Sequence, residues 1–237
     1  MRIGTYNILR FQGYPGGAAA AALGDAESSE RIDHFVRVFR ELDCDILALQ
    51  EGGVSAAMMQ HIAQALDMYL VTIPSPVRWP GQILSRFPVT ESRVFSHVVP
   101  DASAVPPLSR CAGAARLQLG TEEDLWVFVL HLHPHDRALR RTEAQFIAER
   151  VRGQVADCPN VVGLGHFNCT VEEPVHRYLM DLGFVNAMEA VGGGLRPTVD
   201  TAGIRFNKAI DHIYVSPSMA SRLHSARVIE TEGFRHD

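Results

Sequence analysis

The chain has 237 residues, 46% hydrophobic and 21% charged, which is enough apolar material for a sizeable core. A formal net charge of −5 argues against a grip on duplex nucleic acid, which usually needs a basic face or stripe. No apolar run approaches the ~20 residues of a membrane-spanning helix, and the N-terminus opens on a strand pattern rather than a basic and apolar leader, so a cytoplasmic location is expected.

Residues 2–9 read as a short strand. Residues 12–29, rich in Gly, Ala and Ser, read as a loop with an Ala-rich helical turn at 18–23. Ser29-Glu30-Arg31 opens an amphipathic helix to Leu42, with Ile32, Phe35, Val36 and Phe39 at helical spacing. Ile46 to Gln50 is a buried-strand run that ends in the carboxylate of Glu51, and a second helix covers 55–66. Short strands punctuated by Pro and Gly follow at 69–73, 82–85, 89–99, 112–119 and 125–132. A long helix is expected over 138–154, a buried strand over 161–164, a helix over 174–182 with Pro174 in its first turn, and final strands at 209–215 and 226–230. No linker or internal repeat divides the chain, so residues 1–237 are read as a single domain. Strand sets interrupted by helices predict an α/β fold: a four-layer sandwich of two packed, mostly antiparallel sheets flanked by helices. Cys44, Cys111, Cys158 and Cys169 form no C-x-x-C pair and read as free buried thiols of a reducing compartment.

Polar residues at the ends of apolar strands are the chemical candidates. Asn7 closes the first strand, Glu51 the second, His131 follows Phe128-Val129-Leu130, His166 and Asn168 follow Val161–Leu164, and Asp211 interrupts the last long run. A carboxylate with an amide oxygen is hard-oxygen ligation suited to Mg²⁺. Imidazoles beside such an ion suit proton transfer or stabilisation of developing charge. Each residue alone also has an ordinary reading as a turn residue, a solvated carboxylate or a core histidine. His131-Leu132-His133 admits a transition-metal reading as well.

The order of these segments resembles the endonuclease/exonuclease/phosphatase superfamily over nearly the whole chain. Thr5-Tyr6-Asn7 resembles its opening strand, and Asp45 to Glu51 the strand that delivers its metal-binding Glu. Ile83-Leu84-Ser85-Arg86-Phe87-Pro88 is similar to its "LSR(F/Y)P" segment. Arg110 precedes a strand as the family's Arg does, and His131 sits in its "THL" position. Gly165-His166-Phe167-Asn168 occupies its "GDFN" motif, and Ile210-Asp211-His212-Ile213 is similar to "RIDYI". The resemblance implies a Mg²⁺- or Mn²⁺-dependent phosphoesterase. Asn7 and Glu51 would hold the metal, with His131, His166, Asn168, Asp211 and a C-terminal His236 as catalytic residues and Arg110 and Asn168 on the substrate. A small phosphorylated metabolite is the expected partner, and in-line attack of water on a phosphodiester or phosphomonoester the expected reaction.

Two departures qualify this. His166 stands where the motif has Asp, so the acceptor of the attacking water's proton is an imidazole. That change also leaves open a scaffold recruited to a lyase, cyclase or transferase step through His166, or a hydrolytically impaired member. The chain closes on Arg235-His236-Asp237 rather than on "SDH" and a further strand, so that His236 stands for the C-terminal histidine or, alternatively, His212 compensates for it.

Overall fold

The computed structural model describes residues 1–11, 23–25, 27–52, 55–96, 108–201, 204–206 and 208–229. The first half runs β1 (Ile3–Asn7), α1 (Ser29–Leu42), β2 (Ile46–Gln50), α2 (Ala56–Leu66), β3 (Tyr69–Ile73), β4 (Gly81–Ser85), β5 (Val89–Val94), β6 (Ala112–Gln118) and β7 (Asp124–His131). The second runs α3 (Arg137–Asp157), β8 (Val161–His166), α4 (Arg177–Met180), β9 (Val185–Asn186), α5 (Ala187–Val191), β10 (Val199–Thr201), β11 (Ile204–Phe206), β12 (Asp211–Val215) and α6 (Pro217–Ala220). Single 3₁₀ turns occupy Leu9–Phe11 and Pro174–His176.

The strands form a four-stranded sheet, β1-β2-β4-β3, and a six-stranded sheet, β5-β6-β7-β8-β12-β9; β10 and β11 pair as a separate hairpin. In these sheets β1 runs parallel to β2 and β7 to β8, and the remaining ladders are antiparallel. Side chains alternate across each strand, which sorts the apolar residues into three cores. Ile46 and Ala48 of β2, with Ile73 and Ile83, meet Val127 and Val129 of β7 and Val162 and Leu164 of β8 between the sheets. Leu47 and Leu49, one residue out of phase, face Phe35, Phe39, Met59 and Ile62 of α1 and α2. Trp126, Phe128 and Leu130 face Ile147 and Val151 of α3. The layers are therefore helix, sheet, sheet, helix, the expected sandwich. Phe35 is fully buried, and its truncation to Ala would cost about 3–5 kcal/mol.

Local chemistry sets the helix starts. The side chains of Ser28 and Ser55 accept from the backbone N–H of Arg31 and Met58, and Asp136 accepts from those of Ala138 and Leu139. Several boundaries differ from expectation. Residues 226–229 make no strand: Ile229 instead lies partly buried against the α1–α2 core, so its apolar side chain serves packing rather than a ladder. The expected helix over 174–182 divides into a 3₁₀ turn and the short α4, and Gly183 at φ 81° follows it. The short elements β9, α5, β10 and β11 carry too few residues to show periodicity in sequence. Residues 18–22 of the expected helical turn, the far end of the 89–99 run and Glu230 lie outside the described residues.

Candidate active site

Parity explains why distant residues meet. His131 is the last residue of β7 and shares the inward phase of Val127 and Val129; His166 ends β8 in phase with Val162 and Leu164. Asp211 begins β12, which runs antiparallel to β8, and is in phase with inward-facing Val215. Register then pairs His131 with His166 across the β7–β8 ladder and Asp211 with His166 across β8–β12. Asn7 and Gln50, ending β1 and β2, are paired in the facing sheet. Gly165 makes the approach of β8 to β7 feasible. Its φ is 147°, and a Cβ there would lie 1.9 Å from the Leu130 carbonyl oxygen.

Glu51 leaves β2 through a left-handed φ of 52° and is 5% exposed. Its Oε1 accepts from Asn7 Nδ2 at 3.0 Å and lies 3.7 Å from His131 Nε2. Its Oε2 is buried with no partner among the described residues. Leaving such an acceptor unpaired costs about 1–3 kcal/mol or more, so the atom is a candidate ligand for a cation. Burial pushes the carboxyl above its usual range, against the Asn7 hydrogen bond and the charges of His166, Arg110 and Arg10.

His166 Nδ1 lies 2.7 Å from Asp211 Oδ1, with the two side chains 11% and 14% exposed. The other carboxylate oxygen, Oδ2, accepts from Thr198 Oγ1 at 2.6 Å, and Thr198 Oγ1 itself accepts from the backbone N–H of Ile210 and Asp211. The carboxylate is thus fixed in orientation before it meets the ring. Burial alone would lower the His166 pKa, but the charge and hydrogen bond of Asp211, the charge of Glu51 and a hydrogen bond with Asn168 outweigh it, and the net shift is upward. His131 behaves oppositely. It is almost fully buried, and burial followed by the charges of His166 and Arg110 holds it well below the ordinary histidine value, hence neutral. The two rings meet edge to face with centroids 5.4 Å apart. Asn168, at φ 56°, donates from Nδ2 to the Leu132 carbonyl at 2.8 Å, which ties the loop after β8 to the end of β7.

Arg110 stacks its guanidinium over Trp79 at 4.5 Å, and the Trp79 ring centroid is 6.2 Å from that of His131. The segment before Arg110 is anchored by Glu143 of α3. This fully buried carboxylate accepts from Ser109 N and Oγ and from His133 N, so it joins the approaches to β6 and α3.

Sequence reasoning missed Arg10. Leu9, Arg10 and Phe11 take consecutive left-handed φ values of 42°, 55° and 61°. For residues with a Cβ this conformation costs about 1–2 kcal/mol each. The turn is held by hydrogen bonds from Leu9 N to Asn7 Oδ1, from Arg10 N to Glu51 O at 2.7 Å and from Phe11 N to Ile8 O, and by the buried Phe11 ring at 4.6 Å from Phe35. None of its three left-handed positions is a glycine or an asparagine.

Of the residues singled out from sequence, the structure gathers Asn7, Glu51, His131, His166, Asn168 and Asp211, with the Arg110 charge acting on Glu51 and His131. The resemblance implies that Asp211 braces a C-terminal histidine; in the structure Asp211 contacts His166, and His236 lies outside the described residues. His212 does not substitute for it. It projects to the other face of β12, buried in a network with Asn186, Cys169, His176 and Tyr214. Among the described residues no three His, Cys, Asp or Glu side chains gather as a ligand set. What Glu51 and Asn7 offer are hard oxygens. That donor set fits a weakly protein-held Mg²⁺-type ion that completes its shell with water and substrate, and does not fit zinc.

Two packed sheets between helices thus carry a carboxylate, an amide and a His–Asp pair at one rim, an α/β sandwich with a polar site at its strand ends. A sequence model of the endonuclease/exonuclease/phosphatase family matches residues 4–233, and the chain belongs to that family. No curated protein sequence matches the chain. Solved structures share the fold at low identity. A conserved protein of unknown function from Enterococcus faecalis is 15% identical over 98% of this chain and 94% of its own, with a TM-score of 0.70. A 3′ phosphatase from Neisseria, bound to a product DNA hairpin, is 19% identical over 93% and 88%, with a TM-score of 0.68. A mannosyl-6-phosphatase from Bacteroides thetaiotaomicron is 18% identical over 91% and 85%, with a TM-score of 0.66.

Proposed function

We propose that this protein is a divalent-metal-dependent phosphoesterase that hydrolyses a small phosphorylated metabolite, with His166 receiving the proton of the attacking water. The observation that carries the reading is the His166–Asp211 contact of 2.7 Å on the same rim as the unpaired Glu51 Oε2. Family membership and the phosphatase activities named for two fold neighbours support the reaction class.

Glu51 and Asn7 would hold Mg²⁺ or Mn²⁺. Such an ion supplies charge neutralisation and polarisation of a phosphoryl oxygen. Asp211 accepts from the His166 Nδ1–H, which leaves the lone pair on Nε2, and it stabilises the imidazolium once the water's proton arrives. Neutral His131 offers an N–H to the charge that develops on the phosphoryl group, and an N–H donor in a water-poor site is worth more than in bulk water. Asn168 ties the loop after β8 to the end of β7 beside the His166 ring, and Arg110 pairs with a phosphate oxygen. All the working side chains sit on strand ends or on turns hydrogen-bonded to them, so little reorganisation accompanies the reaction.

The test is release of inorganic phosphate or alcohol from a panel of phosphoesters with and without Mn²⁺, for the native chain and for Glu51→Gln and His166→Ala. Metal-dependent turnover that both substitutions lower at least a hundredfold supports the reading. Turnover that appears only in His166→Asp would instead assign the native site to a reaction other than hydrolysis.

A further inference from the structure

Four buried side-chain polar atoms without partners among the described residues belong to this rim and its surroundings: Glu51 Oε2, His131 Nδ1, Arg10 Nε and Arg110 Nε. Native structures pair nearly all such groups, so a concentration of unpaired ones marks the place of a ligand. Two of the four are guanidinium donors. Neither Arg10 nor Arg110 makes an ion pair with a described carboxylate, yet the charges of both act on Glu51. The backbone that carries Arg10 is held in place, and the Arg110 guanidinium has an aromatic partner. Arg10 rides on the left-handed Leu9–Phe11 turn, bonded through its own N–H to the Glu51 carbonyl, and the Arg31 guanidinium holds the Phe11 carbonyl at 2.6 Å. The Arg110 guanidinium carbon sits over the Trp79 ring, 4.5 Å from its centroid, a cation–π contact that restrains the side chain.

We propose that Arg10 and Arg110 form a two-guanidinium clamp for a phosphoryl group with three terminal oxygens, so that the substrates of this site are phosphomonoesters rather than phosphodiesters. The inference rests on the phosphoesterase reading and narrows it. A phosphomonoester carries about −1.5 to −2 charge near neutrality and three acceptor oxygens. One oxygen would face the Glu51 side and one each guanidinium. In a diester the third oxygen is esterified and carries no charge, so one arginine would keep a buried, unpaired Nε. A strained turn that positions a second arginine beside the carboxylate has a use when there is a third oxygen to bind.

The experiment compares p-nitrophenyl phosphate with methyl p-nitrophenyl phosphate, which share a leaving group, in Mn²⁺-loaded protein. Arg10→Gln and Arg110→Gln should each lower kcat/KM for the monoester about 30- to 100-fold, as expected for a lost charge-assisted hydrogen bond, and for the diester by a smaller factor. The monoester-to-diester ratio should fall at least tenfold in each variant, and Arg10→Lys should recover part of it. Calorimetry on metal-free protein gives a second readout. Inorganic phosphate should bind at least tenfold tighter than dimethyl phosphate, and the double Gln variant should erase the difference. If Arg10→Gln does not fold, Arg110→Gln and Arg10→Lys carry the test. Equal losses on both esters, or equal binding of the two anions by native protein, overturn the clamp while the hydrolase reading stands. Selective phosphate binding without turnover of either ester would overturn the hydrolase reading and keep the clamp.

Discussion

Replacement of Asp211 by Asn preserves the shape of the side chain and removes its charge. Asp211 Oδ1 is 2.7 Å from His166 Nδ1, and both side chains are at most 14% exposed, so solvent screens the contact little. A hydrogen bond to a charged group in such a setting is worth about 1.5–3 kcal/mol, which is about 10- to 150-fold in rate if it acts fully in the transition state. Burial, the largest influence on the His166 ring, persists in the variant and opposes its protonation. Asp211→Asn is therefore expected to lower kcat/KM by one to two orders of magnitude with little change in KM. In His166→Ala it should add almost nothing, because the two side chains act as a unit. Steady-state kinetics of the four proteins on one phosphoester form the complete cycle. A loss below about threefold in Asp211→Asn, or full additivity with His166→Ala, would refute the argument that Asp211 works through His166.

Thr198→Val should produce a milder version of the same defect, about three- to tenfold in kcat/KM, because it frees Asp211 Oδ2 from its 2.6 Å donor. Glu51→Gln should raise the stability of the metal-free protein by about 1 kcal/mol by removing a buried, partly unpaired carboxylate, while abolishing any Mn²⁺-dependent rise in Tm; thermal scans with and without Mn²⁺ check both. Glu143→Ala should cost about 3 kcal/mol in urea unfolding, since three donors from Ser109 and His133 lose their acceptor. Burial first, then the charge of neighbouring His212, hold His176 down to about 3, with weak opposition from the Cys169 backbone and Glu172. The unfolded chain binds that proton near pH 6.5, so the stability due to a neutral His176 is complete above 6.5. It is lost as pH falls toward 3, by up to ~1.4 kcal/mol per unit. Urea unfolding at pH 7 and pH 5 should show this slope, and His176→Gln should flatten it.

The layer order was legible because alternation in β2 and β7 is regular: Ile46 and Ala48 face one way, Leu47 and Leu49 the other. The same alternation made strand-end polar residues good candidates, since inward phase and a shared rim bring His131, His166 and Asp211 together. The partnership of His166 and Asp211 was not legible. Their 45-residue separation becomes contact only through the antiparallel register of β8 and β12, and family order directed Asp211 to the C-terminal histidine instead. Arg10 was invisible for a different reason. Its left-handed turn has no glycine to announce it and is imposed by contacts with Glu51, Phe35 and Arg31. The 226–229 segment misled in the opposite direction, because Val228 and Ile229 have strand-like residue types while Ile229 lies against the helical core.

The account is tested most directly by phosphoester turnover in the presence of Mn²⁺ for the native chain beside Glu51→Gln and His166→Ala. It predicts metal-dependent hydrolysis by the native chain and a loss of at least a hundredfold in each variant. Hydrolysis that survives either substitution, or a native chain that turns over no phosphoester with any divalent ion, would contradict it.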